Sequence, residues 1–484
     1  MKKKLVSSLL CAAMISSMLV GCGSSDSAPA ASDAETDAAA TEETAEAADS
    51  AAETTDETSA ETEASAETEA SAEGGSVYYL NFKPEVDEAW QKIAADYTAS
   101  TGVEVKVVTA ASGTYEEVLK SEIAGSDAPT LFQINGPIGY NSWKDYCMDL
   151  SDTELFKDLS DQSLAVYGED GKPYGVPYTV ESYGIIYNDA IMQAYFAMDG
   201  AVVTSVDDIN NFDTLKAVVE DMQAKKDDLG ISGVFACTSL LPGEDWRWQT
   251  HLANLPVYYE LKDKGISDTD ELEFTYSDNY KNIFDLYINN STCAPTLLGS
   301  KAVTDSMAEF ALGECAMVQN GNWAWGQISE VDGNTVKEED VKFMPIYTGV
   351  AGEENQGLCT GTENFWCINS QADAADIKAT EDFVAWLITS DEGKDIMVNT
   401  LGNSAPFSTF GDDEKPTDPL AKEMYRYMEN GKTSVSWNFT IFPSQDFKDD
   451  FGAALLEYCN GNMTWDDVKN TVVTRWAEEK AATK

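Results

Sequence analysis

From residue 77 onward the apolar positions switch repeatedly between two periods. Val77-Tyr78-Tyr79-Leu80-Asn81-Phe82 is an aromatic and β-branched run that reads as a strand, and Pro84 breaks it. Asp87 opens a helix whose apolar face is Trp90, Ile93 and Tyr97, three and four residues apart; Thr101-Gly102 closes it. Val103, Val105 and Val107 then alternate with polar residues in a second strand. Thr114 and Glu117 have the spacing of a capping box for a helix carrying Val118, Leu119 and Ile123. After Ala128-Pro129, residues 130–134 read as a third strand. Short buried strands follow at 184–187, 315–318 and 365–368, and helices at 280–289 and 380–388, the last just ahead of a turn-helix at 390–393. Strand and helix in alternation predict an α/β body whose sheet is mainly parallel, with helices on its faces. In such sheets ligands bind beyond the carboxyl ends of the strands, which singles out the loops 83–85, 110–115 and 135–140.

The first 76 residues follow neither period. Lys2, Lys3 and Lys4 precede an apolar run, 5–20, that is too short for a permanent transmembrane helix. The run ends in small residues that lead straight into a cysteine, and Leu19-Val20-Gly21-Cys22 resembles the lipobox of bacterial lipoproteins, whose cysteine is acylated and becomes the new N-terminus. The competing reading is a plain secretory signal with an incidental cysteine. Residues 23–76 are nearly all Ala, Ser, Thr, Glu and Asp, with no Lys, Arg or aromatic. Such a segment cannot bury enough apolar surface to offset its ordering entropy, and its like charges extend it. The expected organisation is a signal peptide, 1–21, an acidic disordered stalk, 22–76, and a folded body held at the extracytoplasmic face of the cell membrane by a lipid anchor on Cys22.

Sixteen of the 85 acidic residues lie in 23–76 and three of the 31 basic ones before it, so the body carries 69 acids against 28 bases. That balance argues against nucleic acid or an anionic membrane surface as partner. The body is long enough for two lobes, each with its own core. Its seven cysteines, at 147, 237, 293, 315, 359, 367 and 459, are odd in number, contain no CxxC and match no zinc spacing, so they read as small buried apolar residues. The single histidine, His251, lies in the helical-looking stretch 246–253 and reads as structural. No metal and no cofactor are expected.

Five motifs in order carry a resemblance over nearly the whole body. They are Thr101-Gly102-Val103-Glu104-Val105; Tyr174-Gly175-Val176-Pro177-Tyr178 with Gly184-Ile185-Ile186-Tyr187-Asn188; Phe310-Ala311-Leu312-Gly313-Glu314-Cys315-Ala316-Met317; Asn320-Gly321-Asn322-Trp323-Ala324-Trp325; and Ala385-Trp386-Leu387-Ile388-Thr389-Ser390-Asp391-Glu392-Gly393. Together they resemble the cluster-1 family of extracellular solute-binding proteins, sugar receptors of ABC importers that include the maltose-binding protein. The resemblance implies a two-lobed, periplasmic-binding-protein-like fold with three hinge crossings, near 180–185, 319–322 and 361–365, and a ligand in the interlobe cleft. It places 77–181 and 318–362 in the first lobe and 186–317 and 366–484 in the second. Its implied partners are an oligosaccharide and ABC permease subunits, with the membrane reached through the lipid only, no nucleic acid, and a monomeric state.

A sugar offers flat C–H faces and rims of hydroxyls, so its site needs aromatic rings and fixed carboxylates or amides. The resemblance makes Trp323 the stacking residue, with Gly321 letting backbone and ligand approach closely; Trp325 is a second ring on the same face or an inward-packed one. Glu181 matches a carboxylate that bonds sugar hydroxyls, against the plainer reading of a hinge salt bridge, and Tyr183 is its neighbour. Asn135 aligns with an acidic ligand residue of maltose-type receptors, and Glu85 falls near a position that is a lysine in them; both departures put maltose itself in doubt. Phe82 precedes that loop. Asp245, Trp246 and Trp248 align with the aromatic wall of the second lobe, and Trp437 and Phe439 with a late stacking aromatic. Glu363, Asn364 and Trp366 fall in the third crossing. A surface glycan hydrolase or lyase is the competing class, with Glu85, Glu181, Asp245 and Glu363 as available carboxylates, but no motif sets two of them as acid and base. An adhesin or structural lipoprotein without a small ligand is the third reading, against which the hinge-and-cleft motifs argue.

Overall fold

A computed structural model of the protein describes residues 74–111 and 113–482. Cys22 and the acidic stretch before residue 74 lie outside the described residues. Strands run in chain order as β1 (Ser76–Asn81), β2 (Glu104–Thr109), β3 (Leu131–Asn135), β4 (Val166–Tyr167), β5 (Pro173–Pro177), β6 (Glu181–Asn188), β7 (Gly233–Phe235), β8 (Cys315–Gly321), β9 (Val341–Met344), β10 (Gln356–Gly361), β11 (Asn364–Ile368) and β12 (Thr433–Ser436). They form two sheets. The first has the order β2-β1-β3-β11-β5-β4; the second has β12-β10-β6-β8-β7, with β9 also on β6.

Each sheet is covered on both faces, as the continuous apolar runs of its central strands require. In β1, Val77 and Tyr79 pack with Trp90, Ile93 and Tyr97 of the helix Asp87–Thr101 and with Phe383 and Leu387 of Ala374–Thr389. Leu80 points the other way, onto Leu119, Phe132 and Ile134. In β6, Tyr183, Ile185 and Tyr187 join one core and Ile186 the opposite one. Strand directions are mixed rather than mainly parallel. β1 pairs in parallel with β2 and β3, but β11 runs antiparallel to β3 and β5, and β6 antiparallel to β8, β9 and β10. The helix Tyr115–Glu122 forms without the expected capping box. Thr114 sits at φ −110°, ψ 3°, outside the extended region an N-cap uses, and its hydroxyl donates to the Ala111 carbonyl instead.

The chain passes between the sheets three times: at 178–180 from β5 to β6, at 362–363 from β10 to β11, and at 411–418, after the Leu159–Phe407 bridge and before the helix Pro419–Glu429. The first two match the expected crossings; the one expected at 319–322 does not exist. β8 is hydrogen-bonded along its length to β6, from Tyr187–Met317 to Tyr183–Gly321, so it cannot leave the second sheet at 318 without breaking that ladder. The lobe boundaries shift accordingly. Residues 318–361 stay with the second sheet, while 364–408 return to the first, where β11 lies between β3 and β5. All seven described cysteines are free, five of them buried. No helix among the described residues is long and apolar enough to cross a membrane.

Candidate functional site

The two sheets bring strand ends together at one place. Asn81 and Asn135 end β1 and β3, and Gly321 and Gly361 end β8 and β10. β6 begins among them, with Glu181 opposite Gly361 and Tyr183 opposite Gly321. The lobes touch on either side of this point. A Cβ added to Gly113 would lie 2.7 Å from the Cα of Gly243, and one on Gly136 2.9 Å from the Cβ of Thr440.

Two glycines set the aromatic geometry. A Cβ on Gly321 would fall 2.1–2.5 Å from three ring carbons of Trp323, so the indole lies folded back over its own strand end. A Cβ on Gly361 would sit 2.6 Å from Cγ of Trp437. The Trp323 ring is thereby held 5.5 Å from His251, 6.1 Å from Trp246 and 6.4 Å from Trp437, centroid to centroid. Beneath them His251 lies flat on Tyr183, at 4.3 Å and 4°, and the Tyr183 hydroxyl donates to the His251 carbonyl at 2.8 Å. Phe439 completes the floor, 4.9 Å from Trp437 and 5.2 Å from His251. Burial, helped by the charges of Arg247, Lys448 and Lys83, holds the His251 pKa well below its ordinary value. The ring is neutral and serves as packing, as expected of it.

Charged groups ring this aromatic floor. Lys83 forms an ion pair with Glu181, lies 4.0 Å from Glu85 and sits over Trp323 at 5.7 Å. Burial pulls the Lys83 pKa down, but Glu181 and Glu85 outweigh it and the net shift is upward. Burial pushes the Glu363 carboxyl up, with Lys448 opposing. Arg247 stacks its guanidinium on Trp246 at 3.8 Å and donates from Nε to Asn320 Oδ1 at 3.2 Å. Burial lowers its pKa to about 9. Four buried polar atoms here have no hydrogen-bond partner among the described residues: the indole N–H groups of Trp323 and Trp437, Asn135 Oδ1 and Thr362 Oγ1. Buried polar groups are nearly always paired, and a ligand rimmed with hydroxyls has both the donors and the acceptors these atoms lack.

Of the expected residues, the structure brings together Trp323, Trp246, Trp437, Glu181, Glu85, Glu363, Asn135 and Asn364; Asn364 pairs with Asn135 across β3 and β11. Others belong to the cores. Trp248 is buried and its indole N–H donates to the Thr238 carbonyl. Tyr183 and Phe439 lie under the rings. Asp245 is buried, with its carboxylate where a Gly452 side chain would be. Trp325 packs against the core around Phe310 and Leu420. Phe82 lies edge-on to Tyr115 at 5.3 Å, and Trp366 is fully buried on Tyr178. Sequence reasoning missed Lys83, Arg247, Lys448 and Thr362. Lys83 lies in the loop 83–85, two residues before Glu85, which falls near a position that is a lysine in maltose-type receptors; Arg247 stands beside Trp246, and no sequence signal marks Lys448. A separate hollow of ≈ 440 Å³ lined by Cys293, Leu297, Lys301 and Glu309, among others, contains none of these residues.

Residues 92–423 match the sequence model of bacterial extracellular solute-binding proteins. No curated protein matches the chain. Among solved structures it is similar to a chitin oligosaccharide binding protein, at 19% identity and TM-score 0.66 over 84% of this chain and 99% of that one. It is similar to the solute-binding protein RafE in complex with raffinose, at 20% identity and TM-score 0.63 over 84% and 99%. It is also similar to the GacH receptor of Streptomyces glaucescens, solved unliganded and with acarbose, at 16% identity and TM-score 0.62 over 85% and 100%. At these identities the likeness establishes the two-lobed, periplasmic-binding-protein-like fold.

Proposed function

Because the chain belongs to the bacterial extracellular solute-binding protein family, we propose that it captures an oligosaccharide between its lobes and hands it to an ABC permease, tethered outside the membrane by a lipid on Cys22. One observation carries the reading: Trp246, Trp323 and Trp437 gather at the strand ends, and the indole N–H groups of two of them are buried without a partner. Rings of this kind accept the C–H faces of sugars, while Asn135, Thr362, Glu181 and Glu363 are placed for hydroxyls. The sugar-named structural neighbours support the same class. Binding favours the closed arrangement because only there do both lobes contact the ligand. The protein acts as a monomer and releases its ligand unchanged.

The test is a calorimetric screen over plant and host oligosaccharides, with solution scattering and product analysis on any that bind. A bound sugar should compact the protein and be recovered intact. At a hundred times its dissociation constant it should add about 2.7 kcal/mol of stability. Cleaved product would favour the glycan-degrading alternative. Failure of every oligosaccharide to bind would sink the proposal.

A further inference from the structure

The cations of this site narrow the ligand; the inference rests on the oligosaccharide reading and goes one step past it. Four cationic residues are buried among the described residues: Arg247, Lys301, Lys448 and Lys480. Two are answered by carboxylates, Lys301 by Glu309 at 2.5 Å and Lys480 by Asp268 at 2.7 Å. The other two, Arg247 at 3% exposure and Lys448 at 7%, form no ion pair with any described residue. Arg247 lies at the ligand site, its guanidinium on Trp246, and Lys448 is close enough for its charge to act, with those of Arg247 and Lys83, on His251 at the centre.

Arg247 is the sharper case. Its guanidinium lies on Trp246, the neighbour of Trp323, and only Nε has a partner, so its two terminal amino groups have no acceptor among the described residues. Glu85 and Glu244 attract it without touching it. Lys83, by contrast, is already paired with Glu181, and Lys448 shares its field with Glu116 and Glu363. The terminal amino groups are not among the buried unpartnered atoms, so they still meet solvent; a ligand that covered the guanidinium would withdraw it from water, which is costly without a counter-charge. Sugar hydroxyls would accept its hydrogen bonds but leave the charge uncompensated. A carboxylate answers both, because its two oxygens match the planar fork.

We propose that the ligand is an acidic oligosaccharide in which a uronic acid ring rests on Trp246 and Trp323 while its carboxylate is held by Arg247, with Lys448 as the second positive charge.

Calorimetric titration of the full-length protein tests this with oligogalacturonides and oligoglucuronides, each set beside its carboxyl-reduced counterpart. The neutral oligosaccharides of the broader screen are run in parallel. An acidic chain should bind at least about tenfold tighter than its reduced partner, and the advantage should shrink with added salt. Arg247→Met, which keeps an apolar stem on Trp246, should remove most of the advantage; an unchanged advantage in that variant overturns the Arg247 assignment. If the variant does not fold, the wild-type ratio and its salt dependence still decide the matter. Neutral chains bound as tightly as acidic ones, or more tightly, overturn the inference and leave the oligosaccharide reading standing. No binding from either panel overturns both.

Discussion

Gly321→Ala should damage the site by moving a ring it does not remove. Gly321 has φ −109° and ψ −179°, extended backbone that alanine adopts freely, so no strain comes from the main chain. The whole effect passes through the new Cβ, which would stand 2.1, 2.2 and 2.5 Å from Cζ3, Cη2 and Cε3 of Trp323. Carbon atoms in contact settle at about 3.5–4.0 Å, so the indole must swing away by more than an ångström. Trp323 is only half-buried, and the fold should lose no more than the ~1–3 kcal/mol typical of overpacking. A displaced stacking ring forfeits at least about 2 kcal/mol of binding, roughly 30-fold in affinity. The assay is a titration of the best oligosaccharide from the screen against wild type, Gly321→Ala, Trp323→Ala and the double variant, with melting curves on the same preparations. Each single variant should lose about 30-fold, and the double should be no worse than Trp323→Ala alone, because the clash has gone with the ring. Wild-type affinity in a folded Gly321→Ala protein would refute the stacking geometry. Losses that multiply in the double variant would show instead that Gly321 acts on the ligand directly, as a point of close backbone approach.

Other predictions concern charge and location. Burial holds the Asp245 carboxyl up at about 7 against its ordinary 3.8, so the fold favours the protonated form. That stability is fully present below 3.8 and is lost as the pH rises through about 7. Asp245→Asn should therefore melt above wild type at pH 8, by at most ~4 kcal/mol, and the gain should fade toward pH 4; an offset constant with pH would refute this. Lys83→Met leaves Glu181 without its partner in the closed cleft, which should weaken ligand affinity at least about tenfold and blunt compaction in solution scattering while the lobes stay folded. Cys22→Ala should leave the protein soluble or unprocessed, and a membrane-bound, processed variant would refute the lipid anchor.

The elements that sequence reasoning placed best are those with a single strong period. The strand at 77–82, the helix from Asp87 and the strand at 130–134 all appear within a residue or two of expectation, because each buries a regular face against its own neighbours. Strand direction was not legible. β11 looks like any short apolar run, and only its insertion between β3 and β5 makes it antiparallel to both. The crossing near 319–322 was implied by the family resemblance alone, and β8 is held to β6 by its ladder up to Gly321. At the site, periodicity cannot separate a tryptophan that lines a cleft from one that fills a core. Trp246 and Trp248 lie two residues apart, yet the first carries Arg247 on its face and the second is buried over Phe284. The wide π-type turn at Arg247–Leu252 sets their directions, and such turns have no composition signature. Lys448 stayed invisible because its importance lies in the charges around it, brought there from distant segments.

Under the proposed function, the division of the site between the lobes implies an order for capture. Trp323, Trp437, His251 and Phe439 all rise from the second lobe, packed on the core that includes Tyr183 and Leu252. The first lobe contributes Lys83 and Asn135, together with the turns at Gly113 and Gly136 that meet Gly243 and Thr440. Stacking is therefore available while the lobes are apart, whereas polar pairing and the exclusion of water require closure. The Lys83–Glu181 pair spans the junction, and forming it there withdraws two charges from water. Such a pair favours the closed state only when further polar groups share the burden. Ligand hydroxyls or a ligand carboxylate are such groups. Loss of a ring should weaken first contact and leave the extent of closure at saturation unchanged. Loss of Lys83 should spare first contact and weaken closure, so titration and scattering taken together separate the two contributions where affinity alone does not.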